Sequence, residues 1–325
     1  MENFLERRQN NQYKYLLFFA IAIFLFPVFV RSKYFLNVMV FSGIHTIVVI
    51  GFCLLMGYAG QVSLGHAAFF GLGAYTSGVL TVKFGFNPWV AFVAGIFVTA
   101  FIAYIIGVPS LKLKGHYLAM ATLGFGSIIQ IIFVQWRSLT EGSSGLVDIP
   151  GISIGGFKFN TDLKYYYLVW IFAALAILLS LNIVQSRVGR ALKALNKKEI
   201  GAEAMGVNTA KYKVQIFVLS AIYASAAGSL YTHYITFLSP EGFTFLFSVL
   251  ILVMAVFGGL TNIWGGVVGA VSLTILPEFL RAYKDYDIIV YGVILVMVMM
   301  FMPNGILGLV ESAIQRIRAK WVVKG

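Results

Sequence analysis

The run Tyr34–Val82, YFLNVMVFSGIHTIVVIGFCLLMGYAGQVSLGHAAFFGLGAYTSGVLTV, holds 49 residues without one Asp, Glu, Lys or Arg. A helix needs about 20 apolar residues to cross the hydrocarbon of a bilayer, so this run is too long for a single span. It divides at Gly57–His66, where Gly57, Gly60 and Gly65 let the backbone leave helical geometry. Turns in water are polar, and this one carries no charge. Its place is inside the protein, because irregular backbone at membrane depth survives only where it is buried or lines a water-filled cavity. The stretch Gly242–Pro277 repeats the pattern with 36 uncharged residues and glycines at Gly258, Gly259, Gly265, Gly266 and Gly269. Paired glycine-broken segments in the two halves of a chain point to a transport pathway. In that reading Gln61, Ser63 and His66 in the first break, and Thr261 and Asn262 in the second, line the path. The alternative is that they cap interrupted helices and satisfy freed backbone groups.

Outward from these two stretches the apolar pattern continues. Further runs lie at Tyr15–Val30, Trp89–Pro109, Tyr117–Trp136, Tyr165–Gln185, Val214–Leu238 and Ile288–Leu309. With Tyr34–Met56, Ala67–Val82, Gly242–Phe257 and Gly265–Leu280 this predicts about ten transmembrane helices in one all-α transmembrane domain, residues 1–325. Only 11% of the residues are charged against 60% hydrophobic, and the mean hydropathy is +0.88. Soluble domains carry about 25% charged residues, so water is not the solvent of this surface. The first run ends at Arg31-Ser32-Lys33 without a small-x-small cleavage site, which reads as a retained span rather than a signal peptide. The single cysteine, Cys53, excludes a disulfide within the chain.

The net charge of +12 is explained by topology. An even number of spans puts both termini on one side, and that side collects 16 of the 24 Lys and Arg. The positive-inside rule makes it the cytoplasm. Residues 137–164 then form an external loop and residues 187–213 a cytoplasmic one, the most charged stretch of the chain. Within the latter, Asn196-Lys197-Lys198-Glu199 has capping-box spacing, which predicts a short helix from Asn196 to Met205 that stops at Gly206. Flanked by Arg187, Arg190, Lys211 and Lys213, with Glu203 on it, this helix is an element that a cytosolic motor subunit could push.

The runs GYAGQVSLGHAAFFGLGAY (57–75), SRVGRALKALNKKEIGAEAMGVNTAKYK (186–213), AVFGGLTNIWGGVVGA (255–270) and FMPNGILGL (301–309) resemble the LivM-type permease of branched-chain amino acid ABC importers. The resemblance covers nearly the whole chain in the expected order. It implies a bacterial cytoplasmic (inner) membrane protein that works with a second homologous permease, two cytosolic ABC ATPases and an extracytoplasmic substrate-binding protein. It also implies that Glu199–Gly206 belongs to the helix that docks on the ATPase, although EAA…G is matched only loosely by Glu203-Ala204-Met205-Gly206. Related permeases carry urea, short amides or other amino acids.

Other classes of function find little in the residues. No GxxxxGK[ST] occurs, so ATP and its Mg²⁺ belong to a partner subunit and no cofactor is expected here. No acidic residue falls in the middle of an expected span, with Glu278 at a span end coming closest, whereas ion-coupled carriers place ionisable groups within the membrane. That weighs against a secondary transporter or channel. Ser63 and His66 could be imagined as nucleophile and base, but no oxyanion-hole motif accompanies them. His45, His116 and His233 are dispersed without an HExxH, so neither a catalytic nor a metal site is expected.

Overall fold

The computed structural model describes residues 16, 18–28, 32–113, 115–154, 156–279, 292–293, 296–297, 300 and 305–306 of the 325. Its helices are α1 (Phe18–Val28), α2 (Lys33–Phe52), α3 (His66–Val82), α4 (Pro88–Ser110), α5 (His116–Gln135), α6 (Arg137–Thr140), α7 (Asp162–Gln185), α8 (Arg187–Lys197), α9 (Glu199–Ala204), α10 (Thr209–Ile235), α11 (Phe245–Gly258) and α12 (Ile263–Phe279). A π-helical stretch, Cys53–Tyr58, continues α2. The strands among the described residues are a two-residue hairpin, β1 (Ser153–Ile154) antiparallel to β2 (Phe157–Lys158).

This is an all-α membrane protein. Among the described residues five helical runs, Lys33–Tyr58, Pro88–Ser110, His116–Gln135, Asp162–Gln185 and Thr209–Ile235, are long and apolar enough to cross a bilayer, while α1, α11 and α12 are shorter apolar helices. Local chemistry sets several ends. Pro88 occupies the first turn of α4, where its missing N–H costs nothing, and Asn87 caps the helix by accepting from Trp89 N at 2.9 Å. The helix α10 begins at Thr209, ahead of the apolar run expected from Val214, because Asn208 caps it by accepting from Lys211 N at 3.0 Å. Its first turn is polar and so escapes a hydropathy reading. The expected span Ile288–Leu309 and both chain ends lie outside the described residues, apart from a few isolated positions.

Burial sorts the helices into centre and rim. The apolar stretch of α2 with its π extension is 83% buried and that of α10 is 67% buried, against 33% for α4 and 28% for α5. Close approach at the centre depends on absent side chains. A Cβ on Gly228 would strike the Phe70 carbonyl of α3, and one on Gly73 would strike the Ser225 backbone of α10. The gap is closed by Ser229 Oγ donating to the Gly73 carbonyl at 3.0 Å. On the other flank of α2, Trp170 Nε1 of α7 donates to Met39 O at 3.1 Å.

The long helices alternate between two ends of the bundle. One end carries α8 and α9. The other carries residues 137–164, expected as a loop and found as a fitted cover containing α6 and the hairpin. This cover is tied down at four places. Leu146 and Leu238 form a β-bridge, and His233 Nδ1 lies 2.7 Å from Pro150 O. Trp89 Nε1 donates to Ser153 O at 2.9 Å, and Lys83 pairs with Glu141 at 2.6 Å.

Candidate functional site

The first interruption begins where α2 runs through its π turn to Ala59. Gly60 then adopts φ +68°, a left-handed conformation that favours glycine, and the chain turns back on itself. Residues 61–65 climb back alongside α2 before α3 starts, so His66 lies edge-on to Phe52, 4.8 Å between ring centroids. The start of α3 is therefore inside the bundle. Thr122, which sits level with it, is six residues or about 9 Å into α5.

A buried helix start leaves backbone N–H groups without partners unless a side chain supplies one. Ser63 is not that cap. It lies two residues before the capping position, which Gly65 occupies, and its Oγ is 3.5 Å from Gly65 N. Distant helices do the work instead. Thr122 Oγ1 of α5 accepts from Leu64 N at 2.9 Å, and Ser248 Oγ of α11 accepts from Ala67 N at 2.9 Å. His66 itself meets Ser220 Oγ of α10 at 2.7 Å through Nε2. Substituting Thr122→Val keeps the shape and removes the acceptor. The expected result is a folded protein destabilised by about 1–3 kcal/mol, the cost of a buried N–H left unpaired. Thermal unfolding of the purified chain measures it.

The second interruption lies between α11 and α12. Asn262 fulfils the capping expectation there, accepting from Trp264 N at 3.0 Å, while Thr261 is exposed. Gly258, Gly265 and Gly269 bring the two helices into backbone contact, and Gly305 abuts Gly258 and Gly259.

The two interruptions touch. A Cβ on Gly57 would fall on the Leu260 carbonyl, so the backbones of the first and second break are packed directly together. The Tyr58 hydroxyl also reaches the backbone of Ile263. Over this junction lies α8, an amphipathic helix that buries Gly189, Leu192 and Leu195 and exposes Arg187, Arg190, Lys193 and Lys197. Asn196 is in its last turn and donates from Nδ2 to Gly57 O at 2.7 Å, while Gly60 lies against the same side chain.

The expected capping box is thus corrected. Asn196 caps nothing, because its amide satisfies the carbonyl of the broken helix above it. Lys198, in extended conformation, precedes a separate helix α9. Glu199 stands first in α9 and pairs with Lys213 of α10 at 2.5 Å. Glu203 accepts from Thr209 Oγ1 at 2.6 Å. Gly206 does end the helix, at φ +79°. A cleft of about 240 Å³ opens between Gly60–Gln61, Gly115–Leu118 and Asn196–Glu199.

The structure therefore brings Gly57, Gly60, Asn196 and Gly258–Asn262 together, with Glu199 close by. Ser63, Gly65 and His66 lie higher in the bundle, against α5 and α10. Arg187, Arg190 and Glu203 are exposed on the surface of the α8–α9 end. The sequence points to Lys213 only as a flanking charge and not as the partner of Glu199, and it does not point to Leu260, Thr122 or Ser248. Ser248 carries a signal, a lone hydroxyl in an otherwise apolar helix, whereas Thr122 is one of several polar residues on α5 and is not singled out. Among the described residues no group of His, Cys, Asp and Glu could hold a metal ion.

The model of a family described as branched-chain amino acid transport system / permease component matches residues 34–302. The high-affinity branched-chain amino acid transport system permease protein LivM of Escherichia coli K12 is 29% identical, over 89% of this chain and 74% of its own length. LivH, named for the same system in the same organism, is 28% identical over 85% of this chain and 96% of its own. A probable LivM of Methanocaldococcus jannaschii is 21% identical over 83% and 92%. No solved structure matches the chain.

Proposed function

The chain belongs to the branched-chain amino acid transport permease family, and from that premise we propose that it is one of two homologous permease subunits in an ABC importer. Its cargo is a branched-chain or similar small hydrophobic amino acid. It crosses the bacterial cytoplasmic membrane about ten times. Two cytosolic ATPases bind ATP and Mg²⁺, and an extracytoplasmic binding protein delivers the cargo. The chain catalyses no reaction of its own.

Charge supports the orientation. Among the described residues the α8–α9 end gathers Lys112, Arg187, Arg190, Lys193, Lys197, Lys198, Lys211 and Lys213 against Glu199 and Glu203. At the opposite end Lys33, Lys83, Arg137, Lys158 and Lys164 are balanced by Glu141, Asp148, Asp162, Glu241 and Glu278. The positive-inside rule turns the α8–α9 end to the cytoplasm and the 137–164 cover to the outside, where the binding protein lands.

The observation that carries the mechanism is the hydrogen bond from Asn196 to the Gly57 carbonyl. A displacement of α8 and α9 by the ATPases acts through Asn196 on the first break and, through Gly57 against Leu260, on the second. Both interrupted helices then move together, and the path changes the side to which it opens. Glu203, exposed on α9, faces the motor. Glu203→Lys is expected to cut ATPase co-purification and ATP-dependent uptake by at least about tenfold, a loss of roughly 1.4 kcal/mol in docking. Uptake of labelled leucine into proteoliposomes holding all subunits measures it. Normal association and uptake in that variant would remove α9 from the docking surface. Transport by the chain alone on an ion gradient would overturn the whole reading.

A further inference from the structure

Between Val40 and Phe52 every residue of α2 is buried except Phe41 and His45. The two are four positions apart and share one face of the helix. That face looks into the bundle. Phe41 lies 5.8 Å from Tyr234 and 6.1 Å from Tyr231 of α10, and His45 lies 5.9 Å from Phe247 of α11, between ring centroids. Phe70 of α3 joins the two sides, 5.4 Å from Tyr231 and 4.9 Å from Phe247. Tyr231, Tyr234 and Phe247 are half-buried like the side chains they face, so a crevice runs between these helices. One turn above Phe41, Asn37 Nδ2 donates to the Tyr234 hydroxyl at 2.8 Å, and that hydroxyl donates to Asp162 at 3.0 Å, at the end that carries the 137–164 cover. Beneath His45 the crevice stops. Val49, Ile50 and Cys53 are fully buried, and Gly266 of α12 packs directly on them. His45 is the thirteenth of the 26 residues Lys33–Tyr58, so the blind end lies in the middle of the span.

An ionisable side chain at that depth needs a partner or a task. The partner here covers one nitrogen only. Thr274 Oγ1 of α12 gives its single hydrogen to Ala270 O at 2.6 Å. Towards His45 Nδ1, 2.8 Å away, it can then only accept, which fixes the ring hydrogen on Nδ1. The neutral ring therefore presents Nε2 as an acceptor, and among the described residues that atom has no hydrogen-bond partner.

We infer that the blind end of this crevice is a cargo site, in which the ammonium group of a branched-chain amino acid donates to His45 Nε2. The branched side chain lies against Phe41 and Phe247, and the carboxylate stays in the water of the outer opening. A lone acceptor among aromatic rings matches a ligand whose charged donor stands next to a branched aliphatic group, and the rings themselves attract an ammonium. The inference rests on the permease reading and adds where the cargo pauses.

The test uses the complete transporter. In right-side-out vesicles, Phe41→Cys is expected to react with a charged, membrane-impermeant methanethiosulfonate added outside, and leucine-loaded binding protein is expected to slow that reaction. The native Cys53, below the closed end, is expected to stay silent. A thiol at position 41 as silent as Cys53 overturns the inference. Equilibrium dialysis of the purified complex without binding protein then compares labelled leucine with labelled isocaproate, which is leucine without its ammonium group. His45→Leu is expected to lower the preference for leucine by at least about tenfold, the scale of one hydrogen bond to a charged group. Equal weakening of both ligands overturns the assignment of His45. If that variant does not fold, Thr274→Val, which frees the ring from its fixed orientation, is expected to lower the same preference. A wild-type complex that takes up leucine yet does not prefer it to isocaproate overturns this inference alone. One that takes up no branched-chain amino acid overturns both it and the reading beneath it.

Discussion

Gly57→Val is expected to abolish ATP-driven uptake in reconstituted vesicles. A side chain at this position has nowhere to go, since its first carbon would land on the carbonyl carbon and oxygen of Leu260. Backbone cannot rotate away as a flexible side chain can. Overpacking commonly costs about 1–3 kcal/mol, and against backbone the upper end applies, enough to separate the two breaks. The Asn196 hydrogen bond to the Gly57 carbonyl would be displaced with them. Uptake should fall by more than about tenfold, because each 1.4 kcal/mol corresponds to a factor of ten. Gly57→Ala should fall between the variant and the native chain. Native uptake by the valine variant would show that the contact between the breaks does not matter to transport.

The second large effect concerns Lys213 and Glu199. The side chain of Lys213 is 5% exposed and that of Glu199 25% exposed, with 2.5 Å between nitrogen and oxygen. Glu199→Gln leaves an ammonium buried beside a neutral amide. Lys213→Met leaves a carboxylate that already reaches water. The two changes are chemically symmetrical but not energetically so. Removing one partner of a buried pair costs about 3–5 kcal/mol, and the partial exposure of Glu199 puts Glu199→Gln near 3 kcal/mol, with Lys213→Met below it. The double variant should be more stable than Glu199→Gln alone, since it leaves no unpaired charge in the buried position of Lys213. Thermal unfolding of the three variants gives the answer. Single losses that simply add in the double variant would mean that the two groups do not interact.

Helix positions were largely legible in the sequence because length and apolarity are properties of consecutive residues. The runs around Trp89 and Tyr117 fall within a residue of the helices α4 and α5. Tertiary partners were not legible. Nothing in the spacing relates Gly57 to Leu260, which is 203 positions away. Asn196 shows how a local rule loses. Its three-residue offset from Glu199 fits a capping box, but the π turn above it leaves the Gly57 carbonyl in need of a donor, and that carbonyl takes the amide. Lys213 reads from the sequence as a flanking cytoplasmic charge, because a lysine near a span boundary usually serves topology. Its burial against Glu199 depends on where α9 folds back, and a hydropathy profile holds no record of that.

The cover formed by residues 137–164 has a thermodynamic consequence. Its backbone is already fixed by Leu238, by the Pro150 carbonyl against His233, and by Trp89 on Ser153 O and Lys83 on Ser138 O. A protein that docked there would meet a preorganised relief and forfeit little conformational entropy on contact, so a modest area of complementary surface would suffice for a short-lived, repeatable encounter.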